Sequence, residues 1–211
     1  MSANASLGKS VIASRIVNLL RGEKDAIIVH HFCSYLLESS LQYTNFLRSF
    51  LHQLVRCNDD LLAYVCDKYI LDRKAASSTV LESLILTLLT SIADKPSRTV
   101  YVRIILDGLD ECAMDAQKRY VDFLNRVIAN GSTETVCKVL VSSQDTRNLA
   151  KLLHKKSAVS LDEEKEAISS AIQAYTHARL NEIRSELREY DIGDDEITET
   201  ESAIVVKAEG T

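Results

Sequence analysis

The chain has 211 residues, 46% of them hydrophobic and 26% charged, which is enough for one sizeable core or for a core with a small helical appendage. One proline and six glycines leave little material for turns, so an all-β fold is excluded and a helix-rich α/β chain is expected. The net charge of −5 is unevenly placed: residues 161–211 carry 14 acidic and 5 basic side chains, no basic stripe suits a nucleic-acid backbone, and the acidic tail would repel one.

In chain order, residues 9–21 predict a helix, with Val11, Ile12, Ile16, Leu19 and Leu20 recurring at steps of three and four. AIIVHHFC (26–33) reads as a buried strand. Helices are expected over 39–57, 59–71 and 76–94, with Leu41, Phe46, Phe50, Leu51 and Leu54 on one face and Pro96 stopping the third. TVYVRIILD (99–107) is the strongest strand signal, an apolar run ending in an acid. A helix over 115–129 closes at Asn130-Gly131, CKVLVSS (137–143) is a second doubly buried strand, and a helix over 145–154 leads to a weak last strand, SAVSL (157–161). From Asp162, a plausible N-cap, the chain is helical to about Tyr190 along Ile168, Ile172, Tyr175 and Leu180; a final helix over 194–210 has an acidic first turn and stops at Gly210. Alternating strands and helices imply a parallel sheet.

Five cysteines form an odd number with no CxxC spacing, which fits a reducing, cytoplasmic compartment. The N-terminal stretch holds no apolar signal core. The most apolar window, VLESLILTLLTSIA (80–93), carries Glu82 and scattered hydroxyls and reads as a buried helix, so no membrane span is expected. Cys33 and Cys137 read as core, and Cys112 as exposed after an acidic turn, with no histidine nearby to act as its base. His30 and His31 point to opposite faces of a strand, so they cannot chelate one ion together.

Two segments carry chemistry. ASLGKSVIA places the last members of the phosphate-loop pattern G-x-x-x-x-G-K-[ST] on Gly8, Lys9 and Ser10 at a helix start. Glycine lets backbone N–H groups approach phosphate oxygens, the lysine reaches terminal phosphates and the serine hydroxyl ligates Mg2+. Ala3 stands where the first glycine belongs, and Ser6 where a second is often found. Alone, Gly-Lys-Ser is more often a chance helix start. The second segment, IILDGLDEC (104–112), sets Asp107 at a buried strand end with Asp110 and Glu111 just beyond. A solvated turn would also favour Asp and Gly. Yet carboxylates at such a place are costly unless a cation or hydrogen bonds receive them.

Taken in order, GKSVIASRIVNLL, IIVHHFCSY, LRSFLHQLV, RIILDGLDEC, CKVLVSSQD, SLDEEKEAISSAIQAY and ITETESAIVVKAEG resemble the NACHT-type nucleotide-binding module of fungal NOD-like receptor proteins, often called nephrocystin-3-like N-terminal domains. The resemblance implies a P-loop NTPase of the STAND class: a three-layer parallel sheet flanked by helices over 1–161, and a helical C-terminal extension over 162–211. It implies ATP, or less readily GTP, with Mg2+, held by Ser6, Leu7, Gly8, Lys9, Ser10 and Val11. Ser10 and Asp107 would hold the metal, and Asp110 and Glu111 would act in slow hydrolysis. Gln144 stands where relatives reading SSR carry a phosphate-sensing arginine. Against the family pattern the chain is expected to be truncated at both ends, without the first strand. Expected partners are the nucleotide, and proteins met by self-association or through neighbouring domains; a nucleotide-independent interaction fragment is the rival reading. A small-molecule kinase also needs a Gly-Lys-Ser loop, but the DGLDE turn and the long second half argue against it.

Overall fold

The computed structural model describes residues 7–23, 26–70, 76–92, 99–131, 135–160, 165–190 and 192–209. The chain divides into two compact units, one spanning Ser6–His154 and one that takes in Lys155–Thr211.

The larger unit alternates helices and strands. Helix α1 spans Leu7–Leu20 and strand β1 Ala26–Phe32; a short 3-10 turn at Glu38–Leu41 then leads into α2, Tyr43–Val55. Helix α3 spans Asp59–Val65, where the Asn58 side chain accepts the Asp60 N–H and so caps the first turn. It runs into a π turn at Cys66–Ile70, so the helix expected over 59–71 is broken in two. Helix α4 (Ser78–Ser91) is capped by Ser77, and α6 (Arg147–Leu153) by Thr146. Strand β2 spans Val100–Asp107, α5 Met114–Ala129 and β3 Thr135–Ser142.

The three strands lie in the order β1-β2-β3, all parallel. Alternate residues of β2 face opposite layers, as the period of two requires. Val102, Ile104 and Leu106 join the main core with Phe46, Phe50 and Leu54 of α2, Leu84 and Leu88 of α4, and Tyr120, Phe123 and Val127 of α5. Ile105 faces α1, meeting Ala13 and Val17 with Ile28 and Phe32 at its side. Helices thus cover both faces of a parallel sheet, the α/β arrangement implied by the alternating elements.

An aromatic cluster organises the main core. The Phe46 and Tyr120 ring centroids lie 4.8 Å apart, and Phe46 meets Phe50 edge-on at 5.9 Å. Such contacts contribute about 0.5–1.5 kcal/mol each beyond area burial. At its rim the Tyr43 hydroxyl donates to Glu82 at 2.7 Å, Glu82 pairs with Arg126 at 2.5 Å, and the Arg119 guanidinium lies 4.4 Å from the Tyr43 ring centre. Burial and the Glu82 carboxylate push the Tyr43 hydroxyl well above its ordinary range.

The outer edge of β1 is closed by a side chain. Gln53 of α2 accepts the His30 N–H at 3.0 Å and donates to the His30 carbonyl at 2.9 Å, standing in for one residue of a neighbouring strand. His31 points the other way, its Nε2 2.8 Å from the Ser40 carbonyl and its ring edge-on to Phe46, as expected for adjacent strand residues.

The smaller unit contains α7, Lys165–Glu189, and α8, Asp194–Glu209. Thr176, Leu180 and Ile197 are buried in it, and His177 Nδ1 lies 3.2 Å from Glu201 Oε1. Tyr175, expected on the apolar face, is 65% exposed, and Thr176 takes the inward place. The strand expected over 157–161 does not form at 157–160, where Val159 is 83% exposed and no ladder receives it. Ala3, Ser6, Pro96, Asp162 and Gly210 lie outside the described residues. Among the described residues, no helix is long and apolar enough to cross a membrane.

Candidate functional site

The three strands end level: Phe32 is registered with Asp107, and Asp107 with Ser142. Ligands of open parallel sheets bind beyond this carboxyl end. The first turn of α1 reaches the same place. Ser10 donates a 2.5 Å hydrogen bond to Asp107 Oδ2, joining residues 97 positions apart. Gly8, Lys9 and Ser10 therefore stand beside the acid that ends β2, at a helix end whose first N–H groups have no intrahelical acceptor and carry partial positive charge. Among the described residues, nothing lies within 4 Å of where a Cβ on Gly8 would sit. Leu7 opens the helix, Lys9 is half-buried, and Val11 is 56% exposed on the far side of the turn.

Asp107 is only 3% exposed. A buried carboxylate needs partners, and one serine hydroxyl satisfies only part of its acceptor capacity. Side by side, a carboxylate and a hydroxyl are the oxygen donors that Mg2+ uses when phosphate and water complete its shell. Among the described residues no three His, Cys, Asp or Glu side chains converge as a metal cage. The donor set therefore fits a metal that arrives with phosphate and does not fit an all-protein centre.

The turn after Asp107 is sterically fixed. Gly108 adopts φ +73, and a Cβ there would lie 2.4 Å from the Cys33 carbonyl oxygen, so only glycine fits. Its N–H donates to the Ser142 carbonyl at 2.9 Å, while the Cys33 N–H donates to the Asp107 carbonyl at 2.9 Å. The turn is thereby tied to both neighbouring strands.

The next two acids have main-chain partners. Asp110 Oδ1 accepts the Gln144 N–H at 2.9 Å, and Glu111 Oε2 accepts the Tyr35 N–H at 2.6 Å. Behind them the buried Gln117 of α5 donates to the Cys112 carbonyl at 2.8 Å and accepts from Asn148 of α6 at 2.6 Å. Cys112, expected to be exposed, is 5% exposed, because the short 3-10 turn Leu109–Glu111 folds it back against Cys33 and Tyr120. The hydrogen bond with Cys112 and burial push the Cys33 thiol far up, so it keeps its proton.

The structure thus joins Ser10 to Asp107, with Lys9 next to Ser10 in the chain and Asp110 and Glu111 in the turn that follows Asp107, while Ser6 lies outside the described residues. Sequence reasoning missed Gln117, Asn148 and Gln53. The available signal was an amide within the apolar stripe of an amphipathic helix, as Gln117 is beside Tyr120 and Val121.

Residues 1–144 match the family model described as Nephrocystin 3, N-terminal. No curated protein and no solved structure matches the chain.

Proposed function

This chain belongs to the Nephrocystin 3, N-terminal family, and on that premise we propose that it is the nucleotide-binding switch module of a cytoplasmic, NOD-like-receptor type of signalling protein, of the NACHT and STAND kind, taking ATP in preference to GTP. The observation that carries this reading is the Ser10–Asp107 hydrogen bond, which brings the Gly-Lys-Ser helix start onto the acid of the DGLDE turn. Lys9 supplies a mobile cation for terminal phosphates, and the first N–H groups of α1 receive phosphate oxygens. Ser10 and Asp107 would hold Mg2+, whose contribution is to neutralise phosphate charge. Asp110 or Glu111 would orient an attacking water. Hydrolysis would be slow and would time a conformational change read by neighbouring domains or by a second copy.

The test is titration of the purified chain with a fluorescent ATP analogue, with and without Mg2+, beside Lys9→Ala. Wild-type binding should depend on Mg2+, and Lys9→Ala should weaken it by about tenfold or more, the size expected for one charge-assisted phosphate contact. Equal signals from the two proteins would overturn the nucleotide reading in favour of a nucleotide-independent interaction module.

A further inference from the structure

The carboxylates of Asp110 and Glu111 each take the main-chain N–H of a different loop. Glu111 holds Tyr35, which begins the exposed run Tyr35-Leu36-Leu37 at 70%, 84% and 61% exposure. Asp110 holds Gln144, in the loop between β3 and α6. The first loop is stitched internally: Ser40 Oγ accepts the Ser34 N–H at 2.8 Å and lies 2.7 Å from the Leu37 carbonyl, and the Leu37 N–H donates to the Ser34 carbonyl at 2.9 Å. Ser34–Ser40 is therefore cross-bonded within itself, and Glu111 ties it to the acidic turn. That turn is closely braced: Gly108 lies against the Cys33 carbonyl and Gln117 holds the Cys112 carbonyl from behind, so a shift at Asp107 is passed along it and not absorbed within it.

We infer that, beside any part in orienting water, Asp110 and Glu111 each hold one of the two loops flanking the strand end through a single carboxylate oxygen, and that through Glu111 the occupancy of the Ser10–Asp107 site governs how the Tyr35-Leu36-Leu37 strip is held. The second half of this statement rests on the proposed nucleotide site; the first half does not. A ligand that draws the Ser10 hydroxyl off Asp107 acts on a carboxylate four residues from Glu111, through a turn hydrogen-bonded to both neighbouring strands. Charge-assisted bonds to main-chain N–H groups are strong enough to order an exposed loop.

The experiment is residue-resolved amide exchange on the full chain, for wild type and for Glu111→Ala, Glu111→Gln, Asp110→Ala and Asp110→Asn, with and without Mg-ATP. Nucleotide binding is measured on the same samples. Glu111→Ala should speed exchange at Tyr35 by about tenfold or more while leaving Gln144 unchanged, and Asp110→Ala should do the reverse. Glu111→Gln and Asp110→Asn keep an acceptor oxygen and should restore most of the protection. Saturating Mg-ATP should change Tyr35 exchange in wild type by at least about threefold and leave it unchanged in Glu111→Ala. If the alanine variants alter both amides together, or neither, the positioning role is overturned. If nucleotide binds and Tyr35 exchange does not move, the coupling is overturned and the nucleotide reading stands. If the apo pattern appears as expected but no nucleotide binds, the positioning role is supported, while the nucleotide reading falls and takes the coupling with it.

Discussion

Gly108 sits at the one positive-φ glycine among the described residues, with the Cys33 carbonyl where a side chain would begin. Gly108→Ala must both strain the backbone and push two strand ends apart. We expect a loss of about 2–4 kcal/mol, above the 1–3 kcal/mol typical of strain alone because a main-chain atom must also shift. Urea unfolding measures it, and a loss under about 0.5 kcal/mol would show that the wedge is not rigid. At this scale the sequence was partly readable. The small residue between two acids marked the turn, and Gly8, Lys9 and Ser10 marked a helix start able to meet it. What pairing each carboxylate makes was not readable, because Tyr35 and Gln144 offer only their main-chain N–H groups, which every residue type but proline carries. The burial of Cys112 was hidden for a similar reason: a three-residue turn redirects it inward, and no periodicity covers so short a piece.

Strand β1 carries two adjacent imidazoles whose protonation is linked to folding. Burial is the main reason both His30 and His31 titrate below the ordinary 6.5; for His30 the charges of Arg21 and His31 add to it, whereas the Ser40 carbonyl opposes the shift at His31. As pH falls through 6.5, the unfolded chain takes up these protons before the folded one does. The stability linked to these two groups is therefore fully present above about pH 6.5 and is lost below it, down to the depressed values of the folded state. Urea midpoints should drop between pH 7.5 and 5.5, and less steeply in His30→Gln; equal slopes in the two proteins would remove His30 from the account. The strands at 26–33, 99–107 and 137–143 were legible because each is a continuous apolar run, and each forms within two residues of its expected ends; only β2 is largely buried, whereas β3, expected to be buried on both faces, leaves Leu140 41% exposed at the margin of the sheet. Residues 157–160, the described part of SAVSL, form no strand because their pattern is no stronger than a loop's and no ladder takes them up. Gln53 escaped because helical periodicity assigns an amide to the wet face, whereas here it bonds a strand edge.

Over the whole molecule, the Ser6–His154 unit is held by one aromatic-centred core that joins α2, α4 and α5 to a single face of the sheet. Phe46 is 1% exposed and meets Phe50, Tyr120 and Phe123. Phe46→Ala should cost about 3–5 kcal/mol, the range for emptying an aromatic site in a packed core. Thermal and urea unfolding should agree on the loss, and a cost below about 1 kcal/mol would mean that the cluster repacks freely. The fold class followed from alternating apolar runs and helical stripes, since those patterns report which faces must leave water. The pairing of helix start and acidic turn came from recognising motifs, because residues separated by 97 positions leave no periodic trace of their contact.

The amide of Gln53 also limits what this sheet can build. One margin has its middle occupied by a side chain, whereas β3 ends the ladder on the other side among the described residues. A strand arriving at the occupied margin would have to displace that amide before it could bond His30, a cost that an uncovered margin does not impose.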